Sequence, residues 1–295
     1  MGAIAIGPIF WALMALAAVA AAAYGLYFLK RPASIVRALV KTTFMGATAG
    51  ALISAGAPFP LIVAITCSAL GDFFLAFKTK WTLPLGILSF LLAQLIYVLV
   101  FGAIWFFSGD NAPLWPRYAA MAGIGIFLLS FLAWFWRVDE FKRAPLGSTP
   151  TVVALIAVGM LLPVYVISAL MLLNTEAASR APLIAFAPLA GLAIVAIGLA
   201  IWRRKLGAVP LVAMIYAGAI CAMAITAMWL PWAGWLAMLG ALSFLASDLV
   251  LAAELFRLPA DASARRWTAP LVWWTYVAAQ VLIVAGVIMI VLRGE

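Results

Sequence analysis

The chain has 295 residues, of which 68% are hydrophobic and 9% are charged, whereas a soluble domain has roughly 25% charged residues. This composition excludes a water-soluble globular fold, because so much apolar surface requires lipid as its solvent. The absence of histidine excludes histidine-based catalysis and histidine metal sites, and we expect no metal and no cofactor. The net charge of +9 is spread over short loops between apolar runs, so we expect no nucleic-acid partner.

Ten apolar segments, each near the length of about 20 residues that a bilayer requires, are predicted to cross the membrane as helices. Turn and breaker clusters such as Arg31-Pro32 and Leu230-Pro231 separate them. Only short loops remain, so we predict an all-α fold, a polytopic transmembrane helix bundle that forms a single integral membrane domain over residues 1–295. The predicted spans are 5–29, 36–56, 60–78, 82–107, 117–136, 150–173, 182–202, 208–229, 232–256 and 268–292.

Lysine and arginine residues divide unevenly between the two sides of this bundle. Fourteen lie in the first, third, fifth, seventh and ninth loops, and three lie on the opposite side. The positive-inside rule then places the odd-numbered loops in the cytoplasm and both termini on the non-cytoplasmic side. The apolar run over the first 29 residues has no basic start, so we predict a retained helix rather than a signal peptide. We expect a multi-pass protein of the bacterial inner membrane, without a protein partner.

Three charged residues lie inside predicted spans and away from the span ends: Lys41 in the second, Asp72 in the third and Asp248 in the ninth. Each such residue costs roughly 2.5–3.5 kcal/mol on insertion, which makes it a candidate for function. At 1.5 Å per residue, they lie about 6, 9 and 13 Å from the cytoplasmic ends of their helices. All three could therefore meet in one polar pocket in the cytoplasmic half of the bilayer.

Two interpretations of these buried charges remain open. A Lys41–Asp72 or Lys41–Asp248 ion pair could simply hold helices together, but it leaves the second carboxylate unexplained. Two carboxylates in one site of low dielectric constant do not both ionise easily, so one would keep its proton and serve as an acid while the other stays anionic. The residue pattern therefore favours acid–base catalysis by Asp72 and Asp248.

Further polar side chains lie at nearby depths and are candidates for binding substrate or stabilising charge. Ser243 and Ser247 are spaced i,i+4, as are Tyr276 and Gln280, so each pair shares one helix face. Serine in membrane helices usually bonds to the backbone of its own helix, whereas a glutamine near mid-membrane requires a partner. The full candidate set is Lys41, Gln94, Tyr97, Tyr216, Ser243, Ser247, Tyr276 and Gln280.

Several short segments on successive predicted helices carry a resemblance to a known family. They are Lys41, Ser68-Ala-Leu-Gly71-Asp72, the run 86–97 with Gln94 and Tyr97, the run 209–216, the run 240–248 with Asp248, and Tyr276-Val-Ala-Ala-Gln280. In their order and placement, over about 1–107 and 182–292, the sequence resembles the lysoplasmalogenase family (the YhhN-like membrane proteins).

The resemblance implies a membrane-embedded hydrolase that acts on a membrane lipid. Family members cleave the vinyl-ether bond of lysoplasmalogens and release a fatty aldehyde and a glycerophospho-head group. Their membrane aspartates, which correspond to Asp72 and Asp248, are thought to supply the acid–base chemistry. The role of Lys41 stays open between supporting a carboxylate and contacting the substrate phosphate.

The sequence departs from the family pattern in two respects. Gln94 occupies the position where the family usually has histidine, and glutamine cannot carry a proton in the same way. Family members usually have about eight helices, so residues 117–173 are interpreted as an extra two-helix insertion. A catalytically silent family member and a small-molecule or lipid transporter of ten helices therefore remain alternatives, the latter built from two inverted five-helix repeats.

Overall fold

The computed structural model describes residues 4–77, 79, 81–108, 114–136, 208–256, 258 and 262–294. In this part of the chain the secondary structure is helical, with no strand. Two short 3₁₀ turns, Phe28–Lys30 and Trp232–Gly234, accompany eight α-helices. The helices are α1 Pro8–Leu26, α2 Ile35–Ser54, α3 Phe59–Leu75, α4 Thr82–Ser108, α5 Leu114–Trp136, α6 Ala208–Ala227, α7 Trp235–Phe256 and α8 Arg265–Arg293.

These eight helices coincide with eight of the ten predicted spans. The other two, 150–173 and 182–202, lie outside the described residues, so the count of ten and the placement of the termini stay predictions. Within the described residues, four helical segments are long and apolar enough to cross a membrane, which indicates an integral membrane protein. They are Pro8–Leu26, Thr82–Ser108, Trp232–Leu255 and Arg265–Arg293.

Helix ends are fixed by local sequence signals. The Ser34 side chain caps α2 by accepting a hydrogen bond from the backbone N–H of Arg37 at 3.2 Å, which satisfies one of the unpaired N–H groups of the first turn. After α2, Gly56 adopts a positive φ of 68°, which glycine tolerates because it lacks a Cβ atom. Prolines occupy the first turn of α1 and of α3, where a missing N–H costs nothing.

The chain forms two compact units. One comprises Met1–Ala112 with Leu230–Glu295 and contains α1–α4, α7 and α8; the other comprises Pro113–Trp229 and contains α5 and α6. In the first unit α1 packs on α2, α2 on α3, α3 on α4, and α7 on α8. Small residues allow these contacts, as is usual between helices in lipid. A Cβ atom on Gly240 of α7, for example, would lie 2.8 Å from backbone atoms of α8.

Candidate functional site

A buried ion pair joins α2 and α3. Lys41 Nζ lies 3.0 Å from Asp72 Oδ1, and the two side chains are 14% and 1% exposed. Lys41 lies in the second turn of α2 and Asp72 in the last turn of α3. The pair therefore forms near the helix ends that the charge pattern assigns to the cytoplasm.

The second oxygen of the carboxylate is bound from α8. The Tyr276 hydroxyl donates a hydrogen bond of 2.8 Å to Asp72 Oδ2, so three helices converge on one carboxylate. Four aromatic rings surround Tyr276, with centroids 5.5–6.2 Å from the centroid of the Tyr276 ring. Packing of these rings therefore fixes the direction of the hydroxyl together with the hydrogen bond. The rings belong to Phe44, Phe90, Phe244 and Trp273.

The Lys41 ammonium also lies beside two rings. Its Nζ is 5.9 Å from the ring centroids of Tyr24 and of Trp273, within the range of a cation–π attraction. The indole of Trp273 is fixed in turn, because its Nε1 donates to the backbone oxygen of Ala21 at 3.0 Å. Sequence analysis missed Tyr24 and Trp273, since aromatic residues in a membrane helix resemble packing or interface residues.

A second polar layer lies one helical turn deeper. The Tyr97 hydroxyl of α4 donates to Gln280 Oε1 at 2.7 Å, and Gln280 Nε2 donates to Ser68 Oγ at 3.3 Å. Ser68 precedes Asp72 by four residues and Gln280 follows Tyr276 by four, so the two layers use the same faces of α3 and α8. The three side chains Ser68, Tyr97 and Gln280 are fully buried.

Gln94 is also fully buried, and it differs from Gln280 in its bonding. Neither its Oε1 nor its Nε2 has a hydrogen-bond partner among the described residues. On α4 it lies between Phe90, whose ring contacts Tyr276, and Tyr97, which bonds to Gln280. A buried amide with both atoms unpaired is costly, and the part of Gln94 in binding substrate stays a prediction.

The serine pair of α7 connects two helices. Ser243 Oγ donates to the backbone oxygen of Thr275, and Ser247 Oγ donates to that of Val272, each at 2.9 Å. Both hydroxyls are therefore engaged with the backbone of α8, and binding of substrate by these residues stays a prediction.

Asp248 is half-buried on α7, and its arrangement relative to Asp72 stays a prediction. It follows Phe244 by four residues and so shares that residue's helix face. The Phe244 ring contacts Phe90 and Tyr276 at 6.3 and 5.5 Å between centroids. The face of α7 that carries Asp248 is thus the face that contacts the rings of Phe90 and Tyr276.

The remaining sequence candidate, Tyr216, belongs to α6 in the second unit, and its participation in the site stays a prediction. Sequence analysis missed Glu254, a buried acid near the end of α7 that accepts a hydrogen bond from Thr268. Its position near the end of a predicted span had made it resemble a loop acid. Within the described residues, no group of three or more acidic or cysteine side chains could hold a metal ion.

Two contacts of Asp72 offset part of the cost of burying its charge. A neighbouring ammonium and a hydroxyl donor both favour the charged form of a carboxylate. The same contacts leave this carboxylate able to stabilise a cation or to accept a proton from water.

Comparison with known proteins gives one match. Neither a curated protein nor a solved structure matches the chain. Residues 154–287 match the YhhN family, and this range includes α6, α7, Asp248 and the α8 residues Tyr276 and Gln280. The match begins inside the segment 117–173, whose interpretation as an insertion stays a prediction, and it excludes Lys41 and Asp72. The similarity to the YhhN family thus covers residues 154–287, less than half of the chain.

Proposed function

We propose that this protein is a membrane-embedded hydrolase that cleaves the vinyl-ether bond of lysoplasmalogen-type lipids. The YhhN family includes lysoplasmalogenases, and the apolar helices suit a substrate that keeps its chain in lipid. The observation that carries the proposal is the buried Lys41–Asp72–Tyr276 cluster, because a bilayer tolerates such groups chiefly where function requires them.

The reaction is a hydrolysis in which one water is consumed. An acid transfers a proton to the alkene carbon remote from the ether oxygen, which leaves an oxocarbenium ion. Water adds to the carbon that bears the oxygen and loses a proton to a base, which gives a hemiacetal. The hemiacetal hydroxyl gives up its proton as the aldehyde carbonyl forms, the bond to the glycerol oxygen breaks, and that oxygen takes up a proton, which releases a fatty aldehyde and the glycerophospho-head group. The proton that the base took from water returns to the acid and completes the cycle.

Asp72 suits the anionic role in this scheme. Lys41 and Tyr276 hold its two oxygens, so the carboxylate is oriented before substrate arrives, and in our proposal it is the anionic one of the two aspartates. Such an anion stabilises the oxocarbenium ion electrostatically and accepts the proton from the attacking water. Asp72 is therefore the base in our proposal rather than the acid.

The proton donor in our proposal is Asp248. It lies on the face of α7 that carries Phe244, and Phe244 packs against the ring of Tyr276. Positioned proton transfer typically contributes 10²–10⁴-fold to a rate. Removal of this acid should therefore cost a comparable factor while leaving the Lys41–Asp72 pair in place.

The test is aldehyde release from a lysoplasmalogen by the purified, detergent-solubilised chain. We expect product from the wild type and from Ser89→Ala, a control on α4 whose half-buried side chain donates its hydroxyl to the backbone oxygen of Leu85 in the same helix. Asp72→Asn and Asp248→Asn should each lose at least about 100-fold in rate. The alkyl-ether analogue, which lacks the double bond that is protonated, should not be cleaved.

Two results would overturn the proposal. A folded wild type that releases no aldehyde is not a lysoplasmalogenase. Full activity in folded Asp72→Asn would show that the ion pair is a structural link between α2 and α3.

A further inference from the structure

Arg37 lies one turn before Lys41 on α2 and is held by an aromatic residue of α1. Its guanidinium donates a hydrogen bond of 3.0 Å to the Tyr24 hydroxyl, and its Cζ lies 5.6 Å from the centre of the Tyr24 ring. The side chain is half-buried, and its Nε–H is buried without a hydrogen-bond partner in the described part of the chain. The guanidinium is therefore fixed in place while most of its donors remain unused.

The two cations of α2, Arg37 and Lys41, differ in whether a carboxylate neutralises them. Lys41 forms an ion pair with Asp72. Arg37 has no carboxylate within ion-pair distance among the residues that the structure describes. A buried or half-buried cation without a counter-ion favours an anionic ligand, and the planar guanidinium matches the oxygens of a phosphate.

The spacing of the two cations fits one substrate molecule. Four residues of helix separate Arg37 from Lys41, a rise of about 6 Å. In a lysophospholipid the phosphate and the vinyl ether occupy the two end carbons of one glycerol. With the chain in lipid, the phosphate lies toward the helix end and the vinyl ether deeper, which is the order of Arg37 and the Lys41–Asp72 pair along α2.

From this arrangement we propose that Arg37, positioned by Tyr24, binds the phosphate of the lipid substrate. The proposal rests on the proposed function for the identity of the ligand, and it removes the phosphate from the possible contacts of Lys41. Lys41 then acts on the carboxylate of Asp72 alone.

Arg31, in the connection directly before α2, provides a matched control. Arg31 donates a hydrogen bond of 2.9 Å to the Tyr27 hydroxyl, and its Cζ lies 4.5 Å from that ring. The pair repeats the arginine–tyrosine contact of Arg37 and Tyr24, but Arg31 and Tyr27 are exposed. A general effect of removing positive charge near the membrane surface should appear equally in both arginine variants.

The experiment measures binding rather than turnover. Thermal stabilisation of the full chain in detergent is titrated with a 1-alkyl lysophospholipid, which is not cleaved, and with the 1-alkylglycerol that lacks the phosphate. We expect Arg37→Gln to bind the phospholipid about tenfold more weakly, as for loss of a charge-assisted hydrogen bond, and the alkylglycerol as the wild type does. Arg31→Gln should bind both ligands normally, and Tyr24→Phe should weaken binding of the phospholipid alone.

The outcomes separate this proposal from the hydrolase assignment. An equal loss for both ligands in Arg37→Gln, or an equal effect of Arg31→Gln on the phospholipid, would overturn the phosphate site even if aldehyde is released. A selective loss in Arg37→Gln supports the site even if the wild type releases no aldehyde. Inorganic phosphate in the same titration distinguishes the source of the anion, and we expect it not to stabilise the wild type because it lacks the chain.

Discussion

Removal of Lys41 tests how strongly the ion pair is coupled to the fold. Lys41→Met keeps the length of the side chain but leaves Asp72, 1% exposed, without its counter-ion. Loss of one partner from a buried pair typically costs about 3–5 kcal/mol. Because the Lys41 side chain is 14% exposed, water screens the pair in part, and we expect about 3 kcal/mol in the free energy of unfolding.

Two further variants separate the destabilisation that comes from lost charge from the destabilisation that comes from lost packing. Asp72→Asn keeps an oxygen that accepts the Tyr276 hydrogen bond, but it leaves the ammonium of Lys41 without a carboxylate. The double variant Lys41→Met/Asp72→Asn has neither charge. Its destabilisation should be smaller than the sum of the two single losses by at least about 1.5 kcal/mol, since residues in direct contact couple on this scale.

Unfolding of the detergent-solubilised protein, followed by circular dichroism, measures the wild type and the three variants. Additive losses would refute the reasoning, because they would show that the two charges do not interact in the folded chain. A double variant that regains stability without regaining aldehyde release would show that the pair is kept for chemistry rather than for folding. Loss of helix packing alone cannot give that combination.

Three further predictions concern the surroundings of the pair. Gln94→Leu should raise the unfolding free energy by about 1 kcal/mol, since it removes an unpaired buried amide, while it slows aldehyde release; an unchanged rate would exclude this residue from the pocket. Tyr97→Phe should cost about 1–3 kcal/mol by leaving the Gln280 oxygen unpaired, seen as a lower melting temperature. Gly240→Val should cost at least about 3 kcal/mol through contact with the α8 backbone, whereas Gly102→Ala, which has open space, should not.

Much of the helical architecture could be predicted because the bilayer imposes a length on each apolar segment. Eight predicted spans coincide with α1–α8 within a few residues. Their ends differ by up to three residues: α1 was predicted over 5–29 but spans Pro8–Leu26, and α3 was predicted to reach residue 78 but ends at Leu75. The hydropathy pattern marks where the apolar run ends, whereas the helix ends where its backbone leaves the helical conformation.

Depth places Lys41 near both Asp72 and Asp248, because adjacent antiparallel helices bring residues near the same membrane side to one level, but it does not decide which of the two carboxylates Lys41 pairs with. The i,i+4 spacing of Tyr276 and Gln280 likewise indicated one shared face. The sequence offers no such rule for Tyr24 or for Trp273. Both residues belong to the cluster because their rings pack beside the Lys41 ammonium. Tertiary packing decides which rings lie there, and the sequence does not show it.

The hydrogen bonds of the serine side chains show the same limit of prediction from sequence. Ser68 bonds to the backbone of its own helix, as expected for serine in lipid. Ser243 and Ser247 instead donate to carbonyl oxygens of α8, which is possible because Gly240 lets the two backbones approach closely. The glycine is visible in the sequence, but its partner helix is not.

Tyr276 connects the part of the chain that matches a family to the part that does not. It lies within residues 154–287, and its hydroxyl bonds to Asp72, 204 positions earlier in the chain. A tyrosine hydroxyl buried among four aromatic rings requires an acceptor, and in this structure the acceptor is Asp72. Conversely, without Tyr276 the buried Oδ2 atom of Asp72 would lose its hydrogen-bond donor. Each residue thus satisfies a buried polar group of the other, so this polar cluster extends from α8 to α3 and, through the ion pair, to α2.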